Sequence, residues 1–424
     1  MSDQTKQSNP WAWIPTLYFS QGFPYVIVMT VSVIMYKNLG VSNTEIAFYT
    51  SWLYLPWVIK PIWSPIVEIF STRRHWILVT QVVLGAALAC VALTLQASDF
   101  FRYSLAFLWL MAFSSATHDI ASDGFYLLGL DTKKQAFFVG IRSTFYRIAM
   151  IAGQGLLVVF AGYLEVTMPT IQTAWSVVFA TVGVVYLCLF VYHKFMLPKP
   201  AIDKASEVQS VAEVFRRFFE TFKTFFEKPQ IVVAILFLLC YRLGESQLVK
   251  LASPFLLDEK ASGGLGLSTT QVGVIYGTFG VVALTLGGIL GGIMASRDGL
   301  KKWIWWMLAA INLPNLVYVY LSYVQPDSYI LITSAIVVEQ FGYGFGFTGY
   351  LLYTIYMSRG EYSTAHYALA TGFMALGMMI PGMASGWIQE MLGYQNFFIW
   401  VVLATIPSFI ITRFLYIDKD FGVK

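Results

Sequence analysis

Apolar runs of about 20 residues follow one another along the chain and are separated by short polar stretches. An α-helix of that length crosses the hydrocarbon core of a membrane. The pattern therefore predicts an all-α membrane protein with twelve transmembrane helices. These are predicted at residues 12–36, 44–67, 76–97, 103–129, 137–163, 172–197, 230–256, 269–295, 302–324, 328–357, 364–390 and 395–416.

The longest polar segment, residues 198–229, divides these helices into two groups of six. It predicts an N-terminal bundle at 1–197, a cytoplasmic linker at 198–229 and a C-terminal bundle at 230–424. Within the linker, apolar residues from Val211 to Phe225 recur at helical spacing, which indicates an amphipathic helix on the membrane surface. A plain connection and a regulatory segment explain the linker equally well.

Similar features recur in the two halves. A basic turn at Arg73 and Arg74 follows the second predicted helix, and a glycine-rich stretch with a basic turn at 297–302 follows the eighth. Two pseudo-symmetric six-helix bundles joined by a cytoplasmic linker resemble the architecture of the major facilitator superfamily. The fold predicted is therefore a major facilitator fold.

The charge distribution predicts how the chain is oriented. Most of the 27 Lys and Arg residues lie at the termini or after even-numbered helices, which by the positive-inside rule places both termini in the cytoplasm. A mean hydropathy of +0.65 with 12% charged residues excludes an ordinary soluble domain. The net charge of +4 comes from basic residues in short loops, so we predict no nucleic-acid partner. We also expect the protein to act as a monomer in the lipid bilayer.

The motifs of several enzyme classes do not occur in the sequence. There is no phosphate-binding loop, dinucleotide-binding fingerprint, zinc-ligand spacing or plausible catalytic triad. Cys90, Cys188 and Cys240 lie far apart in apolar runs, where free thiols are expected. We therefore predict no enzyme activity, no cofactor and no metal site.

Charged residues in the fourth and fifth predicted helices form the first candidate site. Asp119 and Asp123 are four residues apart and share a helix face, whereas Arg142 and Arg147 are five apart and cannot both point at that face. Counting residues from the turn between the two helices places Asp123 and Arg142 at one depth, and Asp119 and Arg147 about one turn deeper. We expect one tight ion pair and one looser partner. Either the pair only locks two helices together, or one carboxylate faces water and exchanges a proton. His118 is either a proton relay beside Asp119 or a structural histidine.

The seventh predicted helix carries Arg242 and Glu245, which are three residues apart and can form an ion pair on one face. Gly244 offers a break where backbone groups could open to a ligand. We expect Lys250, near the end of this helix, to extend its ammonium group to the membrane interface.

The tenth predicted helix carries Glu339 and Gln340 ahead of alternating glycine and aromatic residues that include Tyr343. Either the small residues serve close helix packing alone, or they also leave aromatic rings to line a cavity, where the rings can stack on sugars. Glu339 has no basic residue near it in sequence, which favours a functional role.

The first two predicted helices supply further polar, aromatic and kinking groups. Gln21, Trp57 and Lys60 are candidate substrate contacts. Pro24 and Pro56 are expected to free backbone carbonyls that need other partners.

Several motifs together resemble the AmpG muropeptide permeases, which are relatives of the acetyl-coenzyme A transporters. The similar stretches are 22–24, 60–65, 115–124, Tyr146-Arg147, 241–245 and 363–369. The resemblance implies import of N-acetylglucosaminyl-1,6-anhydro-N-acetylmuramyl sugars and peptides across the bacterial inner membrane by proton symport, in cell-wall recycling. Asp119 and Asp123 match the family's buried carboxylates and Arg147 its arginine, whereas His118 replaces a typical Gln.

We therefore predict a multi-pass transporter that works by alternating access, with protons and a small sugar peptide as its ligands. The alternatives are another cargo, namely an oligosaccharide or an acetyl-coenzyme A-like molecule, and a ligand sensor or scaffold. The predicted proton-coupling residues are Asp119, Asp123, Glu339 and His118. The predicted substrate contacts are Arg142, Tyr146, Arg147, Arg242, Glu245, Gln340, Gln21, Trp57, Lys60 and Tyr343.

Overall fold

The computed structural model describes residues 9–130, 132–200, 203, 211–360 and 362–422. All regular structure in those residues is helical, which confirms the all-α prediction. The α-helices are α1 (Ile14–Val26), α2 (Ser32–Asn38), α3 (Asn43–Trp52), α4 (Leu55–Phe70), α5 (Arg73–Thr94), α6 (Phe100–Gly129), α7 (Thr132–Ile151), α8 (Val158–Thr167), α9 (Ile171–Met196), α10 (Val211–Phe226), α11 (Ile231–Cys240), α12 (Leu243–Leu257), α13 (Thr269–Val272), α14 (Val281–Asp298), α15 (Leu300–Asn312), α16 (Leu316–Val324), α17 (Tyr329–Met357), α18 (Ser363–Leu403) and α19 (Ile406–Thr412).

Within the described residues, nine helical stretches are long and apolar enough to cross a membrane. They are Pro10–Asn38, Arg73–Thr94, Gly140–Thr167, Ile171–Met196, Ile231–Leu257, Thr269–Asp298, Leu300–Val324, Tyr329–Met357 and Ala365–Thr412. The last is long enough for two crossings, and the backbone leaves helical geometry inside it at Gly393, where φ is 70°. The count of twelve stays a prediction.

Short changes of helix type interrupt several of these stretches. The 3-10 turns are Pro10–Ala12, Lys260–Ser262 and Leu313–Asn315, and the π-helical segments are Ile27–Val31, Ala152–Leu157 and Gly273–Gly280.

Pro24 lies inside α1 and cannot donate to the carbonyl of Ser20, four residues earlier. The hydroxyl of Tyr186 donates to that carbonyl at 2.9 Å, so the partner expected for Pro24 is present. Pro56 is different, because it lies in the first turn of α4, where no hydrogen bond within the helix is lost.

The chain forms two compact units: unit 1 is residues 1–31 and 62–214, and unit 2 is residues 32–61 and 215–424. The division into bundles at 198–229 stays a prediction, and residues 201–202 and 204–210 of that segment lie outside the described residues. Cys90, Cys188 and Cys240 are free, as predicted.

In unit 1, α1 packs on α6 and α7, and α5 packs on α6 and α9. Helices α5 and α9 approach closely because glycines meet at their crossing: a Cβ on Gly183 would lie 3.3 Å from the carbonyl oxygen of Gly85. Trp13, Leu17 and Phe125 belong to a buried apolar cluster. This packing fixes the polar residues of α1, α6 and α7 against one another.

In unit 2, α17 packs on α14 and α15, and α18 packs on α3, α11 and α12. The glycines of α17 make the first contacts possible. A Cβ on Gly344 would overlap the carbonyl oxygen of Leu284 in α14, and one on Gly346 would overlap that of Met307 in α15. The alternating glycines therefore serve close packing, as one of the sequence interpretations proposed.

The predicted amphipathic helix corresponds to α10. Its Phe225 is fully buried in unit 2, whereas Phe219 is exposed. Asp203, earlier in the linker, accepts hydrogen bonds from the backbone N–H groups of Arg73 (2.9 Å) and Arg74 (3.1 Å) at the start of α5. A carboxylate at a helix N-terminus is favourable, so this contact stabilises the first turn of α5.

Candidate functional site

Asp123 and Arg142 are brought together in unit 1 by α6 and α7. Arg142 Nη1 lies 3.5 Å from Asp123 Oδ1, and Tyr18 of α1 bridges them. The Tyr18 hydroxyl donates to Asp123 Oδ1 at 3.2 Å and accepts from Arg142 Nη1 at 3.1 Å. The Arg142 guanidinium also lies 5.0 Å from the ring centroids of Tyr18 and Tyr126. The arginine is held by π faces and a hydroxyl as well as by the carboxylate.

Asp119 lies one turn from Asp123 on α6 and is half-buried. Its carboxylate accepts a hydrogen bond from the side-chain amide of Gln21 on α1. The next residue, Gly22, packs on Tyr146 of α7, where an added Cβ would lie 3.0 Å from the ring. Gln21, Asp119 and Tyr146 thus lie together, and Arg147 follows on α7, also half-buried.

These carboxylates are not sealed from the surroundings. The Asp123 side chain is 43% exposed and the Arg142 side chain is 32% exposed. An accessible carboxylate can exchange a proton without breaking open the helix packing. The geometry therefore permits the exchange interpretation for Asp119 and Asp123.

His118 is fully buried and points into the packing of α5, α6 and α9. Its Nε2 lies 3.2 Å from the Gln81 amide, and its Nδ1 lies 3.3 Å from the Ser122 hydroxyl. The same Gln81 amide lies 2.8 Å from Nδ1 of buried His193. His118 therefore belongs to a satisfied polar network between helices, which is the structural alternative stated for it.

Arg242 and Glu245 form a buried ion pair in unit 2. Arg242 Nη2 lies 2.7 Å from Glu245 Oε2, with side-chain exposures of 11% and 1%. Arg242 also donates to the Tyr343 hydroxyl at 2.6 Å, and it lies 5.0 Å from the Tyr343 and Phe347 ring centroids. The helix break lies at 241–242, between α11 and α12. Gly244 instead allows α12 to approach the carbonyl of Val401, which would lie 2.6 Å from a Cβ.

Glu339 and Gln340 are both buried on α17 in unit 2. The Gln340 amide donates to Glu339 Oε2 at 2.9 Å. Glu339, unlike Asp123, is only 3% exposed. The structure therefore places the predicted acidic residues in two environments, one accessible and one closed.

Trp57 and Lys60 are half-buried on α4 and belong to unit 2. Lys250 contradicts the prediction made for it, because it is 1% exposed instead of reaching the interface. It donates to Thr50 Oγ1 at 3.0 Å and lies 5.1 Å from the Tyr54 ring centroid, so residues from α3 and its C-terminal turn cover it.

A set of polar residues fastens α2 and α3 to the C-terminal part of the chain within unit 2. We name Lys37, Asn43, Asp258, Gln389 and Tyr394 the polar latch. Lys37 Nζ lies 2.6 Å from Asp258 Oδ1, and the Tyr394 hydroxyl donates to Asp258 Oδ2 at 2.7 Å. The Asn43 amide donates to Gln389 Oε1 at 2.8 Å and to Tyr394 Oη at 2.9 Å. Each member has its partner on another helix or loop.

Sequence reasoning missed Tyr18, His193 and the members of the polar latch. Tyr18 carries no charge and lies far from Asp123 in sequence. His193, at the end of the sixth predicted helix, gave a usable signal, since an imidazole there needs a polar partner if it is buried.

The sequence matches the model of the Major Facilitator Superfamily over residues 16–360. It is 25% identical over 405 residues to "Putative transporter AmpG 4" of Rickettsia conorii, with 93% of each chain covered. It is 24% identical over 412 residues to "Anhydromuropeptide permease" of Escherichia coli K12, covering 93% of this chain and 77% of the relative. These similarities confirm the resemblance to AmpG proteins.

Solved structures support the same fold. The nucleoside transporter NupG has a TM-score of 0.68 at 16% identity, covering 95% of this chain and 98% of the other. A D-xylose-proton symporter has a TM-score of 0.66 at 12% identity, covering 97% of each. This likeness concerns the fold and leaves the ligand open. The chain thus belongs to the Major Facilitator Superfamily, as an AmpG-like multi-pass membrane transporter.

Proposed function

We propose that this protein is a proton-coupled secondary transporter that imports cell-wall-derived sugar peptides across the bacterial inner membrane. The cargo is a GlcNAc-anhydro-MurNAc muropeptide. The name of the Escherichia coli relative supports this cargo, as do the motifs shared with the AmpG permeases.

The proposed arrangement has twelve transmembrane helices in two six-helix bundles, at residues 1–197 and 230–424, with 198–229 as a cytoplasmic linker. Both termini lie in the cytoplasm, and the protein acts as a monomer. The positions of the basic residues support this orientation. The 48-residue stretch Ala365–Thr412, with its break at Gly393, supports two crossings there.

The observation that carries the proposal is the polar group around Asp119 and Asp123. Asp119 is our first choice for the proton carrier, because its hydrogen-bond donor Gln21 is neutral and can stay in place whether or not the carboxyl holds a proton. Asp123 and Glu339 are the second choices. Arg142 and Arg147 tune the titration by their positive charge.

The packing of residues 32–61 supports alternating access. By chain order these residues belong to the proposed N-terminal bundle, yet they pack on α12 and α18 through the polar latch. In alternating access, contacts of one bundle with the other must break at one membrane face and form at the opposite face. Hydrogen bonds and a half-buried ion pair can break at smaller cost than a large apolar core.

The proposal is tested by uptake of labelled anhydro-muropeptide into proteoliposomes with an imposed pH gradient. The wild-type protein should accumulate cargo only when the gradient is present. Asp119→Asn should lose this accumulation while retaining exchange of cargo at equal pH on both sides. Asp327→Asn is the matched control, because its side chain is 96% exposed. Accumulation by Asp119→Asn at the wild-type level would remove Asp119 from coupling.

The same vesicles separate the alternatives. Accumulation of a plain oligosaccharide or of acetyl-coenzyme A, without muropeptide uptake, would replace the proposed cargo. Cargo that shifts the thermal unfolding of the protein, but is never exchanged faster than in empty vesicles, would favour a sensor.

A further inference from the structure

Glu339 is a buried acid without a cationic neighbour. No Lys, Arg or His of the described residues forms an ion pair with it, and the neutral Gln340 amide donates a hydrogen bond to it. The nearby Glu245 is already paired with Arg242, so that arginine is used. An isolated carboxylate in a low-dielectric interior is strongly unfavourable, so one positive charge is needed to neutralise Glu339.

The helical segment that faces Glu339 is interrupted. Between α15 and α16, the helix tightens into the 3-10 turn Leu313–Asn315, and Pro314 cannot donate to the carbonyl of Ala310. Gly342 of α17 lies directly on this turn, since a Cβ there would overlap the Ala310 carbonyl oxygen and lie 2.8 Å from Pro314 Cγ. Breaks of this kind in transmembrane helices supply oxygen atoms for ions.

Register places Glu339 at the level of this break. Gly346 contacts Met307 and Ile311, and Gly342, one turn earlier on α17, contacts Ala310 and Pro314. The two stretches therefore run antiparallel. Glu339 is three residues before Gly342 and so lies beside residues 313–317.

Polar side chains without partners surround that level. Asn312, Asn315 and Tyr318 are spaced by three residues, share a face and are at most 1% exposed. Tyr318 lies beside Glu339, with its hydroxyl within reach of a hydrogen bond to the carboxylate. Within the described part of the chain, Asn312 Oδ1 and both polar atoms of the Asn315 amide have no hydrogen-bond partner. Buried polar atoms without hydrogen bonds are rare, and they are destabilising unless a ligand binds them.

We propose that unit 2 binds a sodium ion between Glu339 and the side-chain oxygens of Asn312, Asn315 and Tyr318. One uncompensated carboxylate matches a single positive charge, whereas a divalent ion would leave a positive charge in excess. All the ligands are oxygens, which hard cations prefer. No group of three His, Cys, Asp or Glu among the described residues could hold a metal ion, which also points away from transition metals.

The site goes beyond the proposed function, since binding is measured without cargo. Purified protein is heated in detergent at fixed pH and ionic strength while choline chloride is replaced by sodium chloride. A saturable rise in Tm with sodium, absent with potassium, is the expected result. Equal Tm values in sodium, potassium and choline would overturn the proposal, whatever the outcome of the muropeptide assay.

Two variants identify the ligands. Glu339→Gln keeps the shape and hydrogen-bonding capacity of the side chain and should abolish the sodium response. Asn315→Ala should weaken sodium affinity at least tenfold, on the order of one lost ligand. Glu259→Gln is the matched control, because Glu259 is exposed, and its response should equal that of the wild type.

A direct measurement keeps the proposal testable if a variant does not fold. Radioactive sodium bound to the wild-type protein is counted at several pH values, and acid should displace it in competition, because a proton neutralises the same carboxylate. Stabilisation by acid with no bound sodium would mean that Glu339 binds a proton only, and a sodium response retained by Glu339→Gln would place the ion elsewhere. Either result overturns the proposal.

Discussion

Removing one partner of the buried Arg242–Glu245 pair should destabilise the protein much more than removing both. The variants are Glu245→Gln, Arg242→Met and the combination of the two. Both side chains are nearly inaccessible, and the shortest distance between their charged atoms is 2.7 Å. In the single variant the guanidinium keeps its hydrogen bond to Tyr343 and its contacts with two rings, but it loses its counter-charge.

The magnitude follows from burial. An uncompensated charge in a protein interior typically costs about 3–5 kcal/mol, whereas replacing a whole buried pair by groups of similar volume is often close to neutral. We therefore expect the single variant to lose about 3 kcal/mol of unfolding free energy and the double variant to recover most of that loss. The corresponding coupling energy lies at the upper end of those measured between contacting residues.

The assay is a double-mutant cycle on purified protein, with unfolding free energies obtained from denaturant titration in mixed micelles. The exposed Lys260–Asp327 pair is the control, and its cycle should show little coupling, because water screens both charges. If the effects of Glu245→Gln and Arg242→Met simply add, the pair does not act as a unit and the reasoning from burial is wrong.

Further predictions concern helix packing and the polar latch. Gly344→Ala should lower the free energy of unfolding by about 1–3 kcal/mol, because a Cβ there overlaps the backbone of α14. Gly292→Ala is the control: its Cβ would have nothing within 4 Å, so thermal unfolding should show it to be neutral or slightly stabilising. A double-mutant cycle on Lys37 and Asp258 should give a coupling of about 0.5–3 kcal/mol, and an additive result would exclude a working ion pair. Tyr394→Phe removes the hydroxyl that donates to Asp258 and accepts from Asn43 in the polar latch. Cysteines placed on α3 should therefore react faster with a thiol reagent. Unchanged labelling would contradict a role of the latch in holding α3.

The pairing of Asp123 with Arg142 shows how much of the site the sequence can predict. Charges in apolar runs require partners, and counting residues from a helical hairpin places those partners at one depth. Local register is enough for that step. Tyr18 was not predictable in the same way, because its position depends on how α1 packs against α6 and α7. Such packing is set by shape over a long range, as between Gly22 and Tyr146.

Lys250 shows where local reasoning fails. A lysine near the end of an apolar helix usually extends toward the interface, which led to the wrong prediction. In the structure α3 covers it, and Thr50 and the Tyr54 ring replace part of its water. The covering residues are about 200 positions away in sequence, and no periodicity within α12 reports their presence. The contacts described for the polar latch likewise join residues far apart in sequence, from 136 positions for Tyr394 and Asp258 to 351 for Asn43 and Tyr394.

The acidic residues of the two units differ in access, and access decides what each can do. A proton or ion must leave its site once in every transport cycle. Asp123 is partly exposed and can exchange with its surroundings while α6 and α7 stay packed. Glu339, on α17, is buried beside the Leu313–Asn315 turn, so a ligand bound there can exchange only when the turn and α17 move apart. A sodium ion at Glu339 would therefore follow the conformational cycle, whereas protonation of Asp123 would follow the pH gradient.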